Sequence, residues 1–596
     1  MMEHPIAERC SACSIGSCKT ERFQVHGIHL SLFPFRKGRF EGHEQLSRHQ
    51  SHKYNCKTVD ATVTNCIRYA VEKHNVLVRE QAGFRTREEC AAQVIALVEC
   101  VQRRWNKEMR PTYACFIELR KAFDRVPHEA LFCNLESLGI RGRCLEFYRG
   151  LYRSSWTQVS SRISDTLSPA FPFCRGVRQG DPSSPLLFDL FINDLLEQCR
   201  PFGIRVVGLH ESTMFGNTEN RLPGLMFADD VVLLSPSRHC LEASMHKVSE
   251  YLTQLEMEVG ASKYGVTVFR GCVDKVRWRQ WQLQGKEIPV VEEYRYLGID
   301  LNCNWDEGFT VRRQIQRYRQ KLHIATPFLR NSRIPMDLRL RVVKSCLLPS
   351  LLWGSEWWGM HQLHAKRLSL VLNQTLRMVV GVHAKHTGVS IPALYTELGI
   401  PSVESLIAGR RAHLWAKGPS MRTWISQLCQ WIPTFRKGSS AVGEIERSPR
   451  GSKALQRAVQ QVIHHKWLTT GKMTQTNTWQ EYCQYALQSG SAFLGDSSLH
   501  FPEYSKSLSW LMRIRVGGWS SCSRLARIGI FDEQWKTRCP CCLANVPETL
   551  SHLQQKRPVI MLSRMAAAPK KPINCQQVQL IAFLMGLGAM WLVKNT

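Results

Sequence analysis

The sequence predicts a multidomain α+β protein, and three observations support this prediction. At 596 residues the chain is too long for one hydrophobic core and suits about three or four domains. Strand-like runs such as Pro111–Ile117 alternate with helix-like runs such as Gln93–Trp105, and no internal repeat is evident. Residues 361–535 have mostly helical periodicity. We therefore expect a sheet domain followed by a mostly helical region.

The charge balance indicates a polyanionic partner. The chain has 79 basic and 49 acidic side chains, and the resulting formal net charge of +30 is spread along its length. The alternative is a basic surface with no partner. Basic residues recur inside candidate helices such as Val311–Lys321, which favours nucleic acid over that alternative.

The 23 cysteines are scattered and no apolar leader opens the sequence, so we expect a reducing compartment. Residues 1–58 are rich in Cys and His. Cys10 and Cys13 have zinc-ligand spacing, but no second pair follows at a standard interval, and disorder is the preferred interpretation. The apolar run Leu580–Val593 has fourteen residues, fewer than the roughly 20 of a bilayer-spanning helix, so no membrane partner is expected.

An acidic residue ends the first strand of the predicted sheet domain. In "FIELRKAFDRVPHEAL" (Phe116–Leu131), Glu118 follows the apolar run, and Pro127 suits the first turn of a helix that stops at Gly139. Farther along, a turn-rich loop opens a helix that has apolar residues on one face. Glu118 therefore lies just before a strand-to-helix crossover.

Two adjacent aspartates interrupt the next apolar stretch. Asp229 and Asp230 lie within "LPGLMFADDVVLLS", which predicts two strands joined at the Asp pair. Two ionised carboxylates at a partly buried tip are costly without a cation, and magnesium prefers such hard oxygen ligands. The alternative is an Asp-Asp β-turn with no metal. Glu118, from a separate strand, is the candidate third carboxylate, whereas Asp124 lies too far along the chain to replace it.

The order of five motifs resembles the polymerase core of non-LTR (LINE-type) retrotransposon reverse transcriptases. The motifs are the Glu118 stretch, "RGVRQGDPSSPLLFDLFINDLL", "LMFADDVVLLS", "SKYGVTVF" and "YRYLGI". The upstream "REQAGFRTREECAAQV" is similar to the fingers of that family. The similarity extends from about Thr58 to His552. It implies a right-hand polymerase fold of fingers, palm and thumb, followed by a helical C-terminal region.

The resemblance also implies site residues. Glu118, Asp229 and Asp230 match the metal-binding carboxylates, and Lys263 matches a lysine that assists the leaving pyrophosphate. Phe123 matches the aromatic residue that excludes a 2′-hydroxyl, and Arg85 is a weaker match to a triphosphate contact. The loop that supports template and incoming nucleotide is matched by Gln179, Gly180, Pro182 and Ser184. Each of these residues has an ordinary structural role as its alternative.

Glu118 departs from the family pattern, which has aspartate at this position. Its extra methylene adds a bond of about 1.5 Å between backbone and carboxylate. Magnesium requires near-octahedral geometry, and a displacement near 1 Å can cost on the order of a hundredfold in rate. We expect metal binding to be retained and catalysis to be weakened.

Beyond the core, the candidate helix around Val311–Lys321 has the cations expected of a thumb. Near the C-terminus, Cys539, Cys542 and His552 have the spacing of a small zinc knuckle, but no fourth ligand follows at the expected interval. Cys541 and Cys575 are the alternative fourth ligands. The zinc site is therefore expected to be incomplete, and the chain resembles a fragment of a mobile element.

The predicted domains are 1–58, a disordered segment; 59–270, fingers and palm; 271–345, primer-grip hairpin and thumb-like helices; 346–535, a helical region; and 536–596, a degenerate knuckle and tail. The resemblance implies an RNA-directed DNA polymerase that uses Mg²⁺ or Mn²⁺, with an RNA template, a DNA primer and deoxynucleoside triphosphates as partners. It also suggests a nuclear location. The alternatives are a catalytically silent nucleic-acid-binding remnant and, third, a group II intron maturase.

Overall fold

The computed structural model describes residues 46–548 with gaps, the longest of which are 158–168, 207–220, 430–451 and 484–498. The chain divides into two compact units. Unit 1 takes the chain up to Asp306 and then again Lys417–Ile432, and unit 2 takes Glu307–Ala416 and the chain from Pro433 onward. The chain thus leaves unit 1, forms part of unit 2, and returns.

A four-stranded antiparallel sheet is the centre of unit 1. Its strands are β1 (Thr112–Glu118), β6 (Gly224–Phe227), β7 (Asp230–Ser235) and β8 (Gly265–Phe269), in the order β6-β7-β1-β8. In the register, Glu118 lies opposite Asp230 and Phe116 lies opposite Val232 and Gly265. The acidic end of β1 is therefore brought directly to the start of β7.

The two faces of this sheet have different partners because side chains alternate along a strand. Cys115 and Ile117 of β1, with Val231 and Leu233 of β7, are buried in the main hydrophobic core of unit 1. Phe116 and Glu118 lie on the opposite face by the period of two. One face therefore packs against helices while the other carries the acidic residues.

Helices surround the sheet and supply the rest of the core. The helices of unit 1 are α1 (Leu46–Lys73), α2 (Cys90–Glu108), α3 (Ala122–Arg125), α4 (His128–Ser137), α5 (Arg143–Arg153), α6 (Ser184–Phe191), α7 (Arg238–Gln254), α8 (Asp274–Arg277) and, in the returning segment, α16 (Trp424–Cys429), with a 3₁₀ turn at Glu197–Phe202. Almost every residue of α6 is buried, which explains its near-continuous apolar sequence. The predicted helix after Pro127 is confirmed as α4.

Four short strand pairs complete unit 1. They are β2 (Trp156–Thr157) with β3 (Phe171–Pro172), β4 (Ile204–Arg205) with β5 (Arg221–Leu222), β9 (Trp281–Leu283) with β10 (Lys286–Ile288), and β11 (Glu293–Tyr296) with β12 (Ile299–Asn302). Leu297 and Gly298, between β11 and β12, have φ values of 46° and 82°. Both central residues are left-handed, as in a type I′ hairpin turn. The "YRYLGI" stretch is therefore a tight hairpin.

The described part of unit 2 is helical. Its helices are α9 (Glu307–Arg330), α10 (Met336–Val342), α11 (Leu348–Leu351), α12 (Ser355–Trp358), α13 (Gln362–Val380), α14 (Ile391–Leu398), α15 (Val403–Lys417), α17 (Ser452–Thr470), α18 (Ser505–Arg515) and α19 (Cys522–Arg527), with a π-helical turn at Val343–Leu347. On α9, Tyr318 and Leu322 are buried while Arg312, Arg313, Arg319 and Lys321 are exposed, so the helix has a buried apolar side and an exposed basic side. Within the described residues, no helix is long and apolar enough to cross a bilayer.

The predicted α+β class is confirmed, but the compact units divide the chain differently from the predicted domains. The predicted range 271–345 spans the unit boundary at Asp306, because β11 and β12 pack with unit 1 and α9 begins unit 2. Lys417–Ile432, predicted within the helical region, returns to unit 1. Helix α1 begins at Leu46, before the predicted boundary at residue 58. Residues 1–45 and the apolar tail lie outside the described residues.

Candidate active site

The structure brings the three predicted carboxylates to one end of the sheet. Glu118, the last residue of β1, is the direct cross-strand partner of Asp230. Directly opposed residues in an antiparallel pair have Cα atoms about 4.5 to 5.5 Å apart, and their side chains share a face. Asp229 lies in the two-residue turn before β7, and its carbonyl accepts a hydrogen bond from Leu119 N at 3.3 Å. All three residues are half-buried.

The turn that carries Asp229 has a strained backbone and a specific support. Ala228 has a φ of 55°, a conformation that costs a non-glycine residue roughly 1 kcal/mol or more. The side-chain oxygen of Gln81 accepts from Ala228 N at 2.9 Å and from Gly83 N at 2.8 Å. Gln81 is fully buried. This one side chain therefore holds the aspartate turn against the segment around Gly83.

The same segment lies along the outer edge of β6. Ala82 N donates to Met226 O at 3.0 Å and Met226 N donates to Glu80 O at 2.8 Å. Gln93, on α2, donates from its side-chain amide to both carbonyls, Glu80 O at 2.8 Å and Met226 O at 3.0 Å. The hairpin is thus supported on its outer side as well as by β1.

Aromatic rings adjoin the carboxylates on the face of the sheet that Phe116 and Glu118 share. Tyr294, on β11, stacks on Phe116 with ring centroids 4.0 Å apart and an interplanar angle of 8°. Burial, and after it the charges of Asp230 and Glu118, raise the pKa of the Tyr294 phenol. The phenol is therefore close enough to both carboxylates to sense their charge, and the β11–β12 hairpin lies beside the acidic end of the sheet.

Glu118, Asp229 and Asp230 offer a partial set of oxygen ligands, which suits magnesium, and do not form a preformed metal cage. Within the described residues, no group of three His, Cys, Asp or Glu side chains forms a ready-made metal site. Magnesium typically takes only one or two carboxylates and completes its octahedron with water and substrate phosphates. Opposed Glu118 and Asp230, with Asp229 beside them, offer such partial coordination by hard oxygen ligands.

Phe123 lies between helix α6 and residues 79–94, the stretch predicted to be fingers-like, which we name the fingers segment. Its ring stacks on Phe188 of α6 at 4.6 Å and meets Phe84 edge-on at 6.0 Å. Phe123 is half-buried, and Phe84 is 49% exposed. An aromatic residue so placed presents a rigid wall near the acidic end of β1, and its role in excluding a 2′-hydroxyl stays a prediction.

The loop before α6 is fixed by its own polar groups and by α1. The Ser184 hydroxyl donates to Arg178 O, and Arg178 pairs with Asp181 at 3.0 Å. One carboxylate oxygen of Asp60, on α1, accepts from Ser183 N at 3.3 Å and from its hydroxyl at 3.0 Å. In the same loop, Gly180 is exposed with a φ of 83°, and Pro182 is half-buried. The Ser184 hydroxyl thus donates its hydrogen bond within the loop, to the carbonyl of Arg178.

Arg85, the predicted triphosphate contact, is buried and paired in this structure, and its role toward a triphosphate stays a prediction. Only 2% of its side chain is exposed, and it forms an ion pair with Glu72 at 3.0 Å. Another of its nitrogens donates to Val78 O at 3.0 Å and to Gln81 O at 3.2 Å. These contacts link the Arg85 guanidinium to α1 and to the backbone around Gln81.

Several predicted residues lie outside the described part of the chain. Gln179, Lys263, Cys542 and His552 belong to this group, and their roles stay predictions. Cys539 is described: it is a buried free cysteine whose backbone N–H donates to Ala544 O at 3.0 Å. Such a turn is compatible with a knuckle, and zinc binding stays a prediction as well.

Sequence comparison identifies the domain. Residues 48–301 match the family model described as "Reverse transcriptase (RNA-dependent DNA polymerase)". The chain contains a reverse transcriptase domain. The matched residues include the whole sheet that carries Glu118 and Asp230, and the assignment of this sheet to a palm and of the segment around Gln81 to fingers stays a prediction.

Relatives among characterised proteins are polymerases of non-LTR elements. The chain is 32% identical over 42% of its length to the "Retrovirus-related Pol polyprotein from type-1 retrotransposable element R2" of Popillia japonica, covering 34% of that protein. It is 23% identical over 61% of its length to the R2 polyprotein of Nasonia vitripennis, covering 35% of it. The "RNA-directed DNA polymerase from mobile element jockey" of Drosophila funebris is 22% identical over 54% of the chain, with 34% covered. The chain thus spans about a third of the length of these relatives.

Among solved structures, telomerase from Candida albicans in complex with a telomeric RNA fragment matches 65% of this chain and 60% of its own. The sequence identity is 10% and the TM-score is 0.31. A score of this size adds nothing to the fold assignment made from the domain match.

Sequence reasoning missed the residues that support the aspartate hairpin. Gln81, Gly83 and Gln93 lie in the "REQAGFRTREECAAQV" stretch, which was recognised only as fingers-like. The sequence signal that could have identified them is a glutamine close to a glycine beside buried positions. A buried side-chain amide needs hydrogen-bond partners, and glycine permits close approach of another backbone segment. The contribution of Asp60 had no such signal, because its partner Ser183 lies 123 positions away.

Proposed function

We propose that the chain is the RNA-directed DNA polymerase of a non-LTR retroelement. It would extend a DNA primer on an RNA template by adding deoxynucleotides to the primer 3′ end. The observation that carries this proposal is the register that places Glu118 opposite Asp230, next to Asp229, inside a reverse transcriptase domain. Two carboxylates opposed across neighbouring strands, with a third in the adjoining turn, are a ligand set suited to nucleotidyl transfer.

Glu118, Asp229 and Asp230 would hold divalent magnesium, or manganese in its place. When bound, such ions neutralise the phosphates and stabilise both the attacking and the leaving oxygen. The chain contributes the placement of the carboxylates: Gln81 and Gln93 fix the hairpin, and the β1 register fixes Glu118. Placement and electrostatic stabilisation supply most of the acceleration in this class of reaction.

Template and primer would bind through the basic side chains and the hairpins beside the sheet. The exposed cations of α9, including Arg312, Arg319 and Lys321, suit phosphate contacts because the apolar side of this helix is buried within its own unit. The net charge of +30 agrees with a polyanionic partner. Affinity for primer–template should therefore fall steeply as salt concentration rises.

A catalytically silent nucleic-acid-binding protein is the second candidate, and Glu118 is the observation that favours it. The longer side chain moves the carboxylate by about one bond, roughly 1.5 Å, relative to aspartate at the same position. Displacements near 1 Å can reduce a rate on the order of a hundredfold. Weak extension, or binding without extension, separates the two candidates.

The test is primer extension by the full chain on an RNA template with Mg²⁺, compared with the Asp230→Asn variant. Asparagine preserves size and removes the charge, so the proposal predicts measurable extension by the unaltered chain and none by the variant, at similar affinity for primer–template. Chelation by EDTA should abolish extension and excess Mg²⁺ should restore it. Equal extension by both proteins would refute the assignment, and salt-sensitive binding without any extension would favour the silent protein.

A further inference from the structure

The returning segment Lys417–Ile432, which we name the strap, is built into unit 1. Its described part, up to Cys429, contains a 3₁₀ turn at Gly418–Ser420 and helix α16. Met421, Thr423, Trp424, Ile425 and Leu428 of the strap are all buried. A segment with this much apolar surface removed from water is part of the core of the unit that it joins.

Both ends of α16 are held by charged side chains of opposite sign. At the start, the Glu88 carboxylate accepts from Arg422 N at 2.7 Å and from the Thr423 hydroxyl at 2.8 Å. At the end, Arg103 of α2 donates to Leu428 O at 2.9 Å. An acid at a helix N-terminus and a cation at its C-terminus both complement the helix dipole. Specific hydrogen bonds at both ends of α16 therefore fix the position of the strap on unit 1.

Arg422 extends this attachment into the fingers segment. Its terminal nitrogen Nη1 donates to the Glu72 carboxylate at 2.6 Å and also to the Glu72 carbonyl. Glu72 is 8% exposed and is the ion-pair partner of buried Arg85. Arg85 in turn donates to the carbonyls of Val78 and Gln81. Arg422 therefore completes a charged network that ends at the backbone of Gln81.

Two routes lead from the strap to the aspartate turn. The first passes from Arg422 through Glu72 and Arg85 to Gln81, whose side chain accepts from Ala228 N. The second passes from α16 to α2, against which it packs, and through Gln93 to the carbonyl of Met226. Both routes reach the β6–β7 hairpin, one at its turn and one at its outer edge.

We propose that the strap is a positioning element for the polymerase site, and that Arg422 and Glu88 are positioning residues that set the location of the Asp229/Asp230 turn. Its effect on catalysis rests on the function proposed above. Its effect on the hairpin does not, because the network exists whether or not nucleotides are polymerised. The strap follows the thumb-like α9 in sequence, so a polymerase unit defined only by the matched residues 48–301 lacks this support.

The test uses the full chain and three variants. The first variant, Arg422→Ala with Thr423→Val, removes the charge and the hydroxyl that reach Glu72 and Glu88. The second, Arg422→Lys, keeps a donor nitrogen, and a single nitrogen makes both described bonds to Glu72. The control, Arg410→Ala, removes an arginine that pairs with Glu356 in unit 2 at 3.3 Å. Amide hydrogen exchange is measured at Ala82 and Met226, whose N–H groups join the fingers segment to β6.

The proposal predicts that the double variant increases exchange at Ala82 and Met226 by roughly tenfold or more, as expected from loss of charge-assisted hydrogen bonds. The Arg422→Lys and Arg410→Ala variants should stay within about twofold of the unaltered chain on the same basis. Unchanged exchange in the double variant would overturn the proposal. Exchange that rises equally throughout β11, β12 and α13 would also overturn it, because the strap would then be a general stabiliser.

Single-nucleotide extension supplies the catalytic readout. The double variant should lose most of its turnover rate at unchanged affinity for primer–template, and Arg422→Lys should restore it. Turnover that is unaffected while exchange rises would overturn the catalytic part of the proposal. If no protein extends a primer, the proposed function fails, and the exchange experiment still decides whether the strap positions the hairpin.

Discussion

Gly83→Ala provides a direct test of how closely the aspartate turn must be positioned. A Cβ atom added at Gly83 would lie 2.9 Å from the Gln81 side-chain oxygen and 3.0 Å from Ala228 Cα, and closer still to Ala228 N. Optimal carbon–carbon contacts are about 3.5 to 4.0 Å. To relieve the contact between the added Cβ and Ala228 Cα, the turn must move by ~0.5 Å or more. To relieve the contact with Ala228 N, it must move by ~1 Å. Displacement on this scale can reduce the rate by about tenfold to a hundredfold.

The assay is single-turnover nucleotide addition with the protein in excess over primer–template, alongside urea unfolding. Overpacking should also cost about 1 to 3 kcal/mol of stability, so rates are compared at protein concentrations corrected for the folded fraction. Gly150→Ala is the matched control: Gly150 is exposed on α5, and an added Cβ there meets nothing within 4 Å. It should leave the rate unchanged and add about 0.5 to 1 kcal/mol of stability. A Gly83→Ala protein with the full rate would refute the idea that Gln81 and Gly83 position the turn.

Three further predictions concern acidic residues. Glu118→Asp should raise the extension rate by an order of magnitude or more, on the order expected for a repositioned ligand, and an equal or lower rate would remove the argument about side-chain length. Asp60→Ala should raise the KM for deoxynucleotides and cost about 2 to 3 kcal/mol in urea unfolding, because buried Ser183 loses its acceptor, whereas Asp60→Asn should cost less. Burial raises the pKa of Asp189 well above its ordinary value of 3.8, so ionisation is penalised in the folded state and stability falls as pH rises through the folded-state pKa. Asp189→Asn should abolish that dependence in urea midpoints measured from about pH 5 to 9, and an unchanged slope would show that another group titrates.

The aspartate hairpin was predictable because its signal is local. The apolar runs on both sides of Asp229 and Asp230 specify two strands, and burial of both strands follows from their composition. The pairing of Glu118 with this hairpin is predicted by the order of the motifs and not by hydrophobic periodicity. Periodicity places a residue on a face of a strand but does not say which distant strand lies opposite.

The support of the site was not predictable for the same physical reason. Arg422 bonds to Glu72 across 350 positions of sequence, and Thr423 bonds to Glu88 across 335. An arginine followed by a threonine in a helical stretch looks like ordinary solvated surface. The sequence likewise does not reveal that the guanidinium of Arg85 pairs with the buried carboxylate of Glu72.

The return of the strap has a consequence for how the protein is made. Residues 307–416, a stretch of 110 residues, separate the end of the first part of unit 1 from the strap (416 − 307 + 1 = 110). At about 5 to 20 residues per second, a ribosome needs roughly 6 to 25 seconds to synthesise the 126 residues between Asp306 and Ile432 (432 − 306 = 126). During this interval the surface of α2 that α16 later covers is open to water, and Glu72 and Glu88 lack their bonds to Arg422 and Thr423. The nascent chain therefore exposes this surface to chaperones and proteases, and unit 1 is complete only after residues 307–416 of unit 2 have been synthesised.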